Sequence, residues 1–455
     1  MRRYFGTDGI RRIANTDLSP EFVYKVAKAG AYVLSKHTDH SPIILIGRDT
    51  RISGNLIESA MTAGFLSYGA NVLSVGVIPT PAIAYLTKKL NADASVVISA
   101  SHNTFEFNGI KFFSNKGMKI PDELEEEIEN IMDSDMINTL VASNEKIGIS
   151  KESSSLADDY ISFITGIFGD VFVKNLDTNF KVVIDTANGA TYDVADKIFT
   201  KLGINHKIIN NTPNGININD KCGSTHLEML KDYVVSNNYS LGIAYDGDGD
   251  RCLLVDENGN TIDGDSILAI SSNYLKEVGK LNKNTVVATV MSNIGLGKYA
   301  MKNGINLEKT NVGDRYVLEK MLEKGYNLGG EQSGHVIFSD YNRTGDGILT
   351  SLMILKILSE KHILLGEAAS IVTIYPQVLY NAKVPNEKKN VYKDNDLIVQ
   401  KIKEAENELK DSGRILIRPS GTEPVVRVMI EGENLDFITN LANEIGKLIE
   451  EKSNS

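Results

Sequence analysis

The sequence has no tryptophan and only two cysteines, Cys222 and Cys252, among its 455 residues. Two cysteines are too few for a disulfide framework and lack metal-ligand spacing, so we expect reduced thiols. Cationic residues are also in deficit: 48 lysines and arginines stand against 59 aspartates and glutamates, a formal net charge of −11. Nucleic acids and anionic membranes require a basic surface, so neither is expected as a partner.

Long apolar runs are missing as well. No stretch is long enough to span a bilayer, and residues 1–6 lack the apolar segment of a signal peptide, so we predict a cytoplasmic protein. The composition, 42% hydrophobic and 24% charged, is ordinary for a globular protein. At roughly 100–200 residues per domain, the length predicts three or four domains.

Short β-branched runs alternate with helix-length periodic segments over the first 370 residues. This alternation predicts parallel, doubly wound α/β layers, with ligand-binding loops at the carboxyl ends of strands. A polar, serine-rich stretch at residues 143–155 is predicted to be a linker. From residue 371 the order is strand, helix, strand pair and helix, which indicates a small α+β domain. We therefore predict three doubly wound α/β domains and a C-terminal α+β domain, with boundaries near residues 152, 256 and 370.

The most informative motif runs from Asp246 to Arg251, where Asp246, Asp248 and Asp250 alternate with glycines directly after an apolar run. Carboxylate oxygens are the ligands that Mg²⁺ prefers, at about 2.0–2.1 Å. In a straight strand the outer two aspartates would have Cα atoms about 13 Å apart, so the backbone must curl. Gly247 and Gly249 permit this curl, because glycine tolerates positive φ and close approach of another backbone. The motif predicts a cation site.

Two other interpretations compete for this motif. Acidic, glycine-rich turns are common on protein surfaces, although turn chemistry does not require three spaced aspartates. The aspartates also fit positions 1, 3 and 5 of an EF-hand, with Glu257 at position 12. Arg251 stands where the calcium loop requires glycine, and the flanking segments resemble strands rather than helices, so the EF-hand interpretation is disfavoured.

A candidate nucleophile, Ser101, follows the buried strand predicted at residues 96–98. A serine hydroxyl is a weak nucleophile without a base, a metal or prior modification. A simple serine and asparagine turn is an alternative. A serine hydrolase is disfavoured because the chain has no Gly-x-Ser-x-Gly elbow.

Two further loops carry polar groups. Residues 329–335 present Glu331, Gln332 and Ser333 among glycines, which suits polyol recognition because a carboxylate accepts from neighbouring hydroxyls. Residues 418–424 join two predicted strands and offer donors for a phosphate. A plain glycine-rich turn and a plain hairpin are the respective alternatives. The phosphate-binding candidates are Arg418, Ser420, Gly421, Thr422 and the following Arg427.

These four loops, in this order, resemble those of the α-D-phosphohexomutases. The resemblance covers the whole chain and includes the segments 5–11, 47–51, 79–81 and 427–429. Residues 222–226 and 312–316, together with Gln332, favour the branch that acts on glucosamine phosphates. The resemblance implies four domains around a central cleft: residues 1–152 with a phosphoserine loop, 153–256 with a metal loop, 257–370 with a sugar loop and 371–455 with a phosphate loop.

The resemblance also implies roles for individual residues. Ser101 matches the phosphoserine, and with Asp246, Asp248 and Asp250 it would hold one Mg²⁺ per site. Glu331 and Ser333 match contacts to sugar hydroxyls, and the residues of the 418–427 loop match the site of the non-reacting phosphate. Glucose or glucosamine 1,6-bisphosphate is the implied activator. The residues that match the phosphoryl-transfer site are Arg11, His102, Lys111 and Arg251, with Lys111 and His102 both open as general base.

The implied reaction interconverts glucosamine 6-phosphate and glucosamine 1-phosphate. A phosphomannomutase or phosphoglucomutase is the alternative within the family, since the substrates differ only at one substituent. Thr104 and Arg12 depart from the family pattern, which usually has proline and glycine there. These departures motivate a second alternative, a phosphosugar sensor without catalysis. A phosphatase is a third, which would release inorganic phosphate.

Overall fold

The computed structural model describes residues 3–6, 8–420 and 424–454. Its contacts divide the chain into two compact units. The larger unit consists of the described residues of Met1–Met291 and Ile305–Ile371, and the smaller unit of those of Ser292–Gly304 and Val372–Ser455. In the described parts of the chain, no helix is both long and apolar enough to cross a membrane.

Three sheets and their helices form the larger unit. The first region contains β1 (Ile10–Ile13), α1 (Pro20–Ser35), β2 (Ile43–Arg48), α2 (Gly54–Tyr68), β3 (Asn71–Val77), α3 (Thr80–Lys89), β4 (Ala94–Ile98), β5 (Phe107–Ser114), α4 (Asp122–Met132), α5 (Met136–Thr139) and β6 (Ser150–Glu152). The second contains α6 (Leu156–Phe168), α7 (Val171–Asn175), β7 (Val182–Asp185), α8 (Val194–Lys201), β8 (His206–Ile209), α9 (Glu228–Ser236), β9 (Leu241–Tyr245), β10 (Cys252–Val255) and β11 (Thr261–Ile262).

The remaining elements follow in chain order. The third region contains α10 (Gly264–Glu277), β12 (Thr285–Thr289), α11 (Ile294–Lys302), β13 (Asn306–Thr310), α12 (Asp314–Lys324), β14 (Leu328–Gly330), β15 (Val336–Phe338), α13 (Gly347–Lys361) and α14 (Leu365–Ala369). The last contains β16 (Gln377–Lys383), α15 (Val391–Asp394), α16 (Asp396–Leu409), β17 (Gly413–Pro419), β18 (Val425–Gly432) and α17 (Leu435–Asn454).

The sheets of the larger unit share one plan, a parallel core extended by an antiparallel hairpin. Their strand orders are β1-β5-β4-β2-β3-β6, β11-β10-β9-β7-β8 and β13-β12-β14-β15. The hairpins are β4 with β5, β9 with β10, and β14 with β15. Three of the four loops singled out in the sequence are the turns of these hairpins.

The α/β layers predicted from the sequence are present, but the sheets are mixed rather than wholly parallel. A parallel pair needs a crossover of a dozen or more residues, whereas an antiparallel pair needs only a short turn. The connections at residues 246–251 and 331–335 are too short for a crossover. The predicted linker also contains structure, because β6 pairs with β3 at the edge of the first sheet. Its three residues are exposed and carry no apolar alternation, so the pattern gave no signal for a strand.

Local sequence explains where several helices start. Helix α1 has Pro20 in its first turn, and the Ser19 hydroxyl caps it by accepting from the Phe22 amide. Asp263 and Asp346 cap α10 and α13 in the same way. Strands β4 and β9, which lead into the Ser101 and Asp246 loops, are buried along their whole length. Rigid, buried strands therefore set the starting points of both loops.

The smaller unit is an antiparallel sheet, β16-β18-β17, covered by α16 and α17. This matches the strand, helix, strand pair and helix predicted from residue 371. Helix α11 belongs to this unit although its neighbours in sequence, β12 and β13, belong to the larger one. Asn293 caps α11 and also donates to the Tyr375 carbonyl at 2.9 Å, and the Ile294 amide donates to Glu431 at 3.1 Å.

Candidate active site

The loop between β9 and β10 gathers the three aspartates at one point. One carboxylate oxygen from each of Asp246, Asp248 and Asp250 lies within 4.8 Å of the other two, and all three residues are buried. The two glycines permit this for different reasons. Gly249 has φ of +71°, and a Cβ on Gly247 would lie 2.5 Å from the Ser101 carbonyl oxygen. The curl predicted from the sequence is therefore present.

The donor set of this loop fits a divalent cation. Asp248 Oδ1 and Asp250 Oδ1 are buried and accept no hydrogen bond from the described residues. Burial and the nearby Asp250 and Asp248 carboxylates raise the pKa of Asp246 well above its usual range. Two carboxylate oxygens of this cluster therefore lack a donor among the described residues, and the three carboxylates repel one another. A bound metal ion relieves both effects.

Ser101 lies against this trio from the loop between β4 and β5. Its hydroxyl donates to Asp246 Oδ2 at 2.6 Å and lies 3.4 Å from His102 Nδ1. The backbone of Ser101 has φ of 50°, a left-handed conformation that side chains other than glycine rarely adopt. Such strain costs on the order of 1–3 kcal/mol and collects at functional sites. The fold thus holds the hydroxyl at the carboxylates against a local backbone preference.

Lys111 supplies positive charge at the same point. Its ammonium, 1% exposed, lies 2.8 Å from Asp248, 3.0 Å from Asp8 and 3.9 Å from Asp250. Burial alone would lower the pKa of Lys111, but the three carboxylates outweigh it and raise that pKa above its usual range. Lys111 is therefore held as a cation, with its N–H groups directed at carboxylates.

Asp8 and Lys119 extend this charge network. Burial opposes ionisation of Asp8, but Lys111, Lys119 and Arg11 lower its pKa well below the usual range. Lys119 bridges Asp8 and Asp314, the latter at 2.5 Å, so it joins the first and third regions of the larger unit. Negative and positive groups consequently alternate around the serine.

Three more predicted residues surround this network. Arg11 donates to Asn103 Oδ1 at 2.9 Å and to Asp8 at 3.0 Å, and the Arg251 amide donates to Asp246 at 3.2 Å. Burial, followed by the charges of Arg251 and Arg11, lowers the pKa of His102 to about 4. The imidazole is therefore neutral near pH 7. The structure therefore brings Arg11, His102, Lys111 and Arg251 together near the serine and aspartate loops.

The predicted sugar-binding loop is the turn of the third hairpin. The Gly313 amide donates to Glu331 Oε1 at 3.0 Å, which fixes one oxygen of this carboxylate. Ser333 Oγ has no hydrogen-bond partner among the described residues. Gln332 instead donates to Asp263 at 3.2 Å, the residue that caps α10. Glu331 and Ser333 therefore keep polar atoms available, while Gln332 anchors the loop.

The predicted phosphate-binding residues lie on the hairpin of β17 and β18 in the smaller unit. Arg418 and Arg427 are direct cross-strand partners. Burial and the charge of Arg427 lower the pKa of Arg418. Ser420 is buried and its carbonyl accepts from Lys389 at 2.6 Å. Gly421 and Thr422 lie outside the described residues.

Comparison with protein families identifies the chain. Four models of the phosphoglucomutase/phosphomannomutase family match it: α/β/α domain I at residues 2–138, domain II at 158–259, domain III at 263–375 and the C-terminal domain at 379–448. The chain belongs to the phosphoglucomutase/phosphomannomutase family. It is therefore a phosphohexomutase, an isomerase, and the resemblance found in the sequence is confirmed.

Relatives within this family are similar along the entire chain. The phosphoglucosamine mutase of Clostridium acetobutylicum is 54% identical over 454 residues, covering 100% of both chains. That of Acetivibrio thermocellus is also 54% identical, covering 99% of this chain and 100% of its own. Among solved structures, a phosphoglucomutase/phosphomannomutase family protein from Burkholderia thailandensis has a TM-score of 0.80 at 22% identity, covering 100% of this chain and 99% of its own.

A second solved structure of similar fold carries a ligand. The N-acetylphosphoglucosamine mutase of Aspergillus fumigatus, in complex with GlcNAc-6P and magnesium, has a TM-score of 0.73 at 18% identity and covers 100% of this chain and 96% of its own. At these identities, the two solved structures support the phosphohexomutase fold.

Sequence reasoning missed several residues of this phosphohexomutase site. Asp8 and Arg51 lie in segments that carried the family resemblance, but no role was derived for them. Thr80 donates to Asp248 at 2.8 Å, and it too lies in such a segment. Lys119 and Asn219 gave no signal, because their contacts are with residues distant in sequence.

Proposed function

We propose that this protein interconverts glucosamine 6-phosphate and glucosamine 1-phosphate, with Ser101 as the phosphoryl carrier. The observation that carries the proposal is the Ser101 hydroxyl 2.6 Å from Asp246, inside a buried trio of carboxylates suited to a metal ion. The choice of glucosamine rests on the 54% identical relatives, which are phosphoglucosamine mutases.

The reaction consists of two phosphoryl transfers. In the first, the bond between phosphorus and Ser101 Oγ breaks, a bond to a sugar hydroxyl oxygen forms, and that hydroxyl loses its proton. The bisphosphate then turns around. In the second transfer the bond between its other phosphorus and the sugar oxygen breaks, a bond to Ser101 Oγ forms, and the sugar oxygen takes back a proton. Phosphoryl transfer depends mainly on positioning and charge stabilisation, which a rigid, charged site provides.

Asp246, Asp248 and Asp250 would hold Mg²⁺, with Ser101 as a further ligand. The buried oxygens without hydrogen-bond partners and the raised pKa of Asp246 support this assignment. Magnesium in the Aspergillus fumigatus structure supports the choice of ion. When bound, the ion would neutralise negative charge on the phosphoryl oxygens. Glucose or glucosamine 1,6-bisphosphate is the proposed activator, which would phosphorylate Ser101 for the first turnover.

The protein's own cations complete the charge balance. Lys111, Arg11 and Arg251 lie at the serine and aspartate loops and would stabilise the transferring phosphoryl group. Neighbouring carboxylates raise the pKa of Lys111 and keep it a cation, so its nitrogen has no lone pair to accept a proton. His102 is the better candidate for proton acceptor, since its Nδ1 lies 3.4 Å from Ser101 Oγ.

Substrate recognition falls to the two remaining loops. Glu331 and Ser333 would contact sugar hydroxyls, because a carboxylate accepts from hydroxyls and the Ser333 hydroxyl has no partner among the described residues. Arg418, Ser420 and Arg427, with Gly421 and Thr422, would hold the phosphate that does not react. A phosphate would accept charge-assisted hydrogen bonds from Arg418 and Arg427, which lie opposite each other on neighbouring strands.

A substrate comparison tests the proposal. We expect kcat/KM of pre-phosphorylated protein to be highest for glucosamine 1-phosphate, ahead of glucose and mannose 1-phosphates. A higher value for either of the other two sugars would contradict the glucosamine assignment. Binding of these sugars without turnover and without phosphate on Ser101, followed by intact-mass spectrometry, would favour a sensor instead. Release of inorganic phosphate at the rate of substrate consumption would indicate a phosphatase.

A further inference from the structure

The side chains of Arg51 and Asn219 hydrogen-bond to the backbone around Ser101 and do not contact its hydroxyl. Arg51 donates through Nη2 to the carbonyl oxygens of Ser101 at 3.0 Å and Asn103 at 2.8 Å, and through Nη1 to that of Thr104. Asn219 Nδ2 donates to the carbonyls of Ser101 at 2.9 Å and Asn103 at 2.8 Å. Two carbonyls therefore each receive donors from both side chains.

Arg51 is itself fixed in place. Its side chain is fully buried with that of Asp49, with Nε 2.9 Å from Asp49 Oδ2. The hydroxyl of Ser99 donates to the same Asp49 oxygen at 2.5 Å and accepts from the Ser101 amide at 2.9 Å. The nucleophile loop is thus tied at its amide end and at its carbonyl end to one buried ion pair.

Asn219 reaches this loop from the second region of the larger unit. Its amide donates to the Ala187 carbonyl at 3.0 Å, and the residue is 2% exposed. A Cβ on Gly247 would lie 2.5 Å from the Ser101 carbonyl oxygen and 2.7 Å from Asn219 Nδ2. The first glycine of the acidic loop therefore leaves the space in which Asn219 meets the nucleophile loop.

We propose that Arg51 and Asn219 are positioning residues that hold Ser101 in its left-handed conformation and so aim its hydroxyl at the carboxylate trio. The hydrogen bonds end on carbonyl oxygens, so both residues act through the backbone. Loss of either donor would let the loop relax towards ordinary φ and move Oγ away from the reacting phosphorus. This inference rests on the proposed role of Ser101 as carrier.

We test the proposal by substituting Asn219, because removing Arg51 would leave the buried Asp49 without its cation and threaten folding. Asn219→Asp keeps the shape but removes the donor and turns oxygens towards two carbonyls. Asn219→Ala removes the donor and leaves space. We expect kcat to fall about 10-fold to 100-fold in Asn219→Ala and further in Asn219→Asp, with KM within about twofold. The single-turnover rate of Ser101 phosphorylation by glucose 1,6-bisphosphate, followed by intact mass, should fall in parallel.

Asn217→Ala is the matched control. Asn217 lies in the same segment and makes comparable bonds, accepting from the Asn214 amide at 2.9 Å and donating to the Thr212 carbonyl at 3.1 Å, without contacting the nucleophile loop. We expect it to retain wild-type kcat. If Asn219→Asp is more active than Asn219→Ala, packing rather than donation matters and the proposal is wrong. Equal losses in Asn217→Ala would also overturn it.

Ser101→Ala separates this proposal from the proposed function. If that variant retains turnover, Ser101 is not the carrier and the function proposal fails. If it is inactive while both Asn219 variants phosphorylate and turn over like the wild type, the function stands and the positioning role alone is rejected.

Discussion

The two charged loops that we propose bind phosphoryl groups are built in opposite ways. Around Ser101 in the larger unit, opposite charges alternate: Lys111 and Asp248 lie 2.8 Å apart and each is 1% exposed. On the hairpin of the smaller unit, like charges face each other, with Arg418 directly opposite Arg427 and both half-buried. At the first site anions and cations are neighbours, whereas on the hairpin two cations are neighbours across the strand pair.

Under the proposed function, the first site positions the reacting groups and the second captures a phosphate. A network of buried ion pairs holds its members in place before the reaction, which suits groups that act on a reacting phosphorus atom. Like charges opposite each other destabilise a sheet. Under the proposed function, the first site is organised before substrate binds, and a phosphate of the substrate binds to the arginines of the second.

Removing the hydroxyl of the proposed carrier should have the largest effect on activity. Ser101→Ala should lower kcat by at least about 10³-fold, since no covalent phosphoenzyme can form. Intact-mass spectrometry after incubation with glucose 1,6-bisphosphate should detect no added phosphate. Ser114→Ala, which removes a hydroxyl at the far end of β5, should phosphorylate normally. Isomerisation that survives in Ser101→Ala would refute the assigned site.

Mg²⁺ should bind at the site around Ser101 and the three aspartates, and not at the hairpin of Arg418 and Arg427. Asp246→Asn should abolish most of the rise in Tm caused by Mg²⁺ and should remove several kcal/mol of transition-state stabilisation. In the wild type the raised pKa of Asp246 means that metal binding releases a proton, so apparent Mg²⁺ affinity should increase as pH rises.

Asp256→Asn is the control for the metal experiment. This buried carboxylate accepts hydrogen bonds within its own turn, from the amides of Asn258 and Asn260 and from the Asn260 side chain. Its Tm should respond to Mg²⁺ as the wild type does. An equal Mg²⁺ response in Asp246→Asn would show that the ion binds elsewhere.

Substitution of an arginine on the hairpin of the smaller unit should change KM rather than the stability of the protein. Arg418→Ala should raise KM for the sugar phosphate by about 10-fold to 100-fold, the loss of a charge-assisted hydrogen bond, without lowering Tm. Arg414→Ala on the same strand should lower Tm and leave KM unchanged, because Arg414 lies 2.5 Å from Glu431, which is fully buried. Steady-state kinetics and thermal unfolding of both variants measure the contrast. A lower Tm in Arg418→Ala with unchanged KM would contradict the capture role.

Asp346 is a buried carboxylate with no cationic partner among the described residues, and its effect should appear in the pH dependence of stability. Burial raises the pKa of Asp346 to about 6, although Tyr160 donates to it at 2.9 Å. Between about pH 4 and pH 6 the unfolded chain loses this proton while the folded protein keeps it. The contribution of Asp346 to stability should therefore fall as pH rises through this window, by on the order of 2–3 kcal/mol, and stay constant above it.

Asp346→Asn should remove this fall, because the amide keeps an acceptor for the Leu349 amide but does not ionise. Urea unfolding across the window compares the two proteins, and identical pH profiles would contradict the prediction.

Much of the site was accessible from sequence because each of its loops carries its chemistry in consecutive residues. The Asp246 to Arg251 motif predicted both the carboxylate cluster and the curl that forms it. The mixed sheets were missed, although the short connections at residues 246–251 and 331–335 favour hairpins. Both Lys111 and His102 were open as base, and only their surroundings distinguish them: carboxylates hold the first as a cation, and burial with nearby arginines keeps the second neutral.

By itself, the sequence determined which residue types stand together along the chain: the aspartate trio, the serine at the end of a buried strand and the arginines of the last hairpin. These depend on local spacing and on glycine's freedom, which are properties of consecutive residues. The tertiary structure alone decided that Asn219 and Arg51 bind the carbonyls of the Ser101 loop, and that Lys119 joins Asp8 to Asp314. Hydrogen bonds and ion pairs depend on distances in space, and residues more than a hundred positions apart carry no pattern that predicts their meeting.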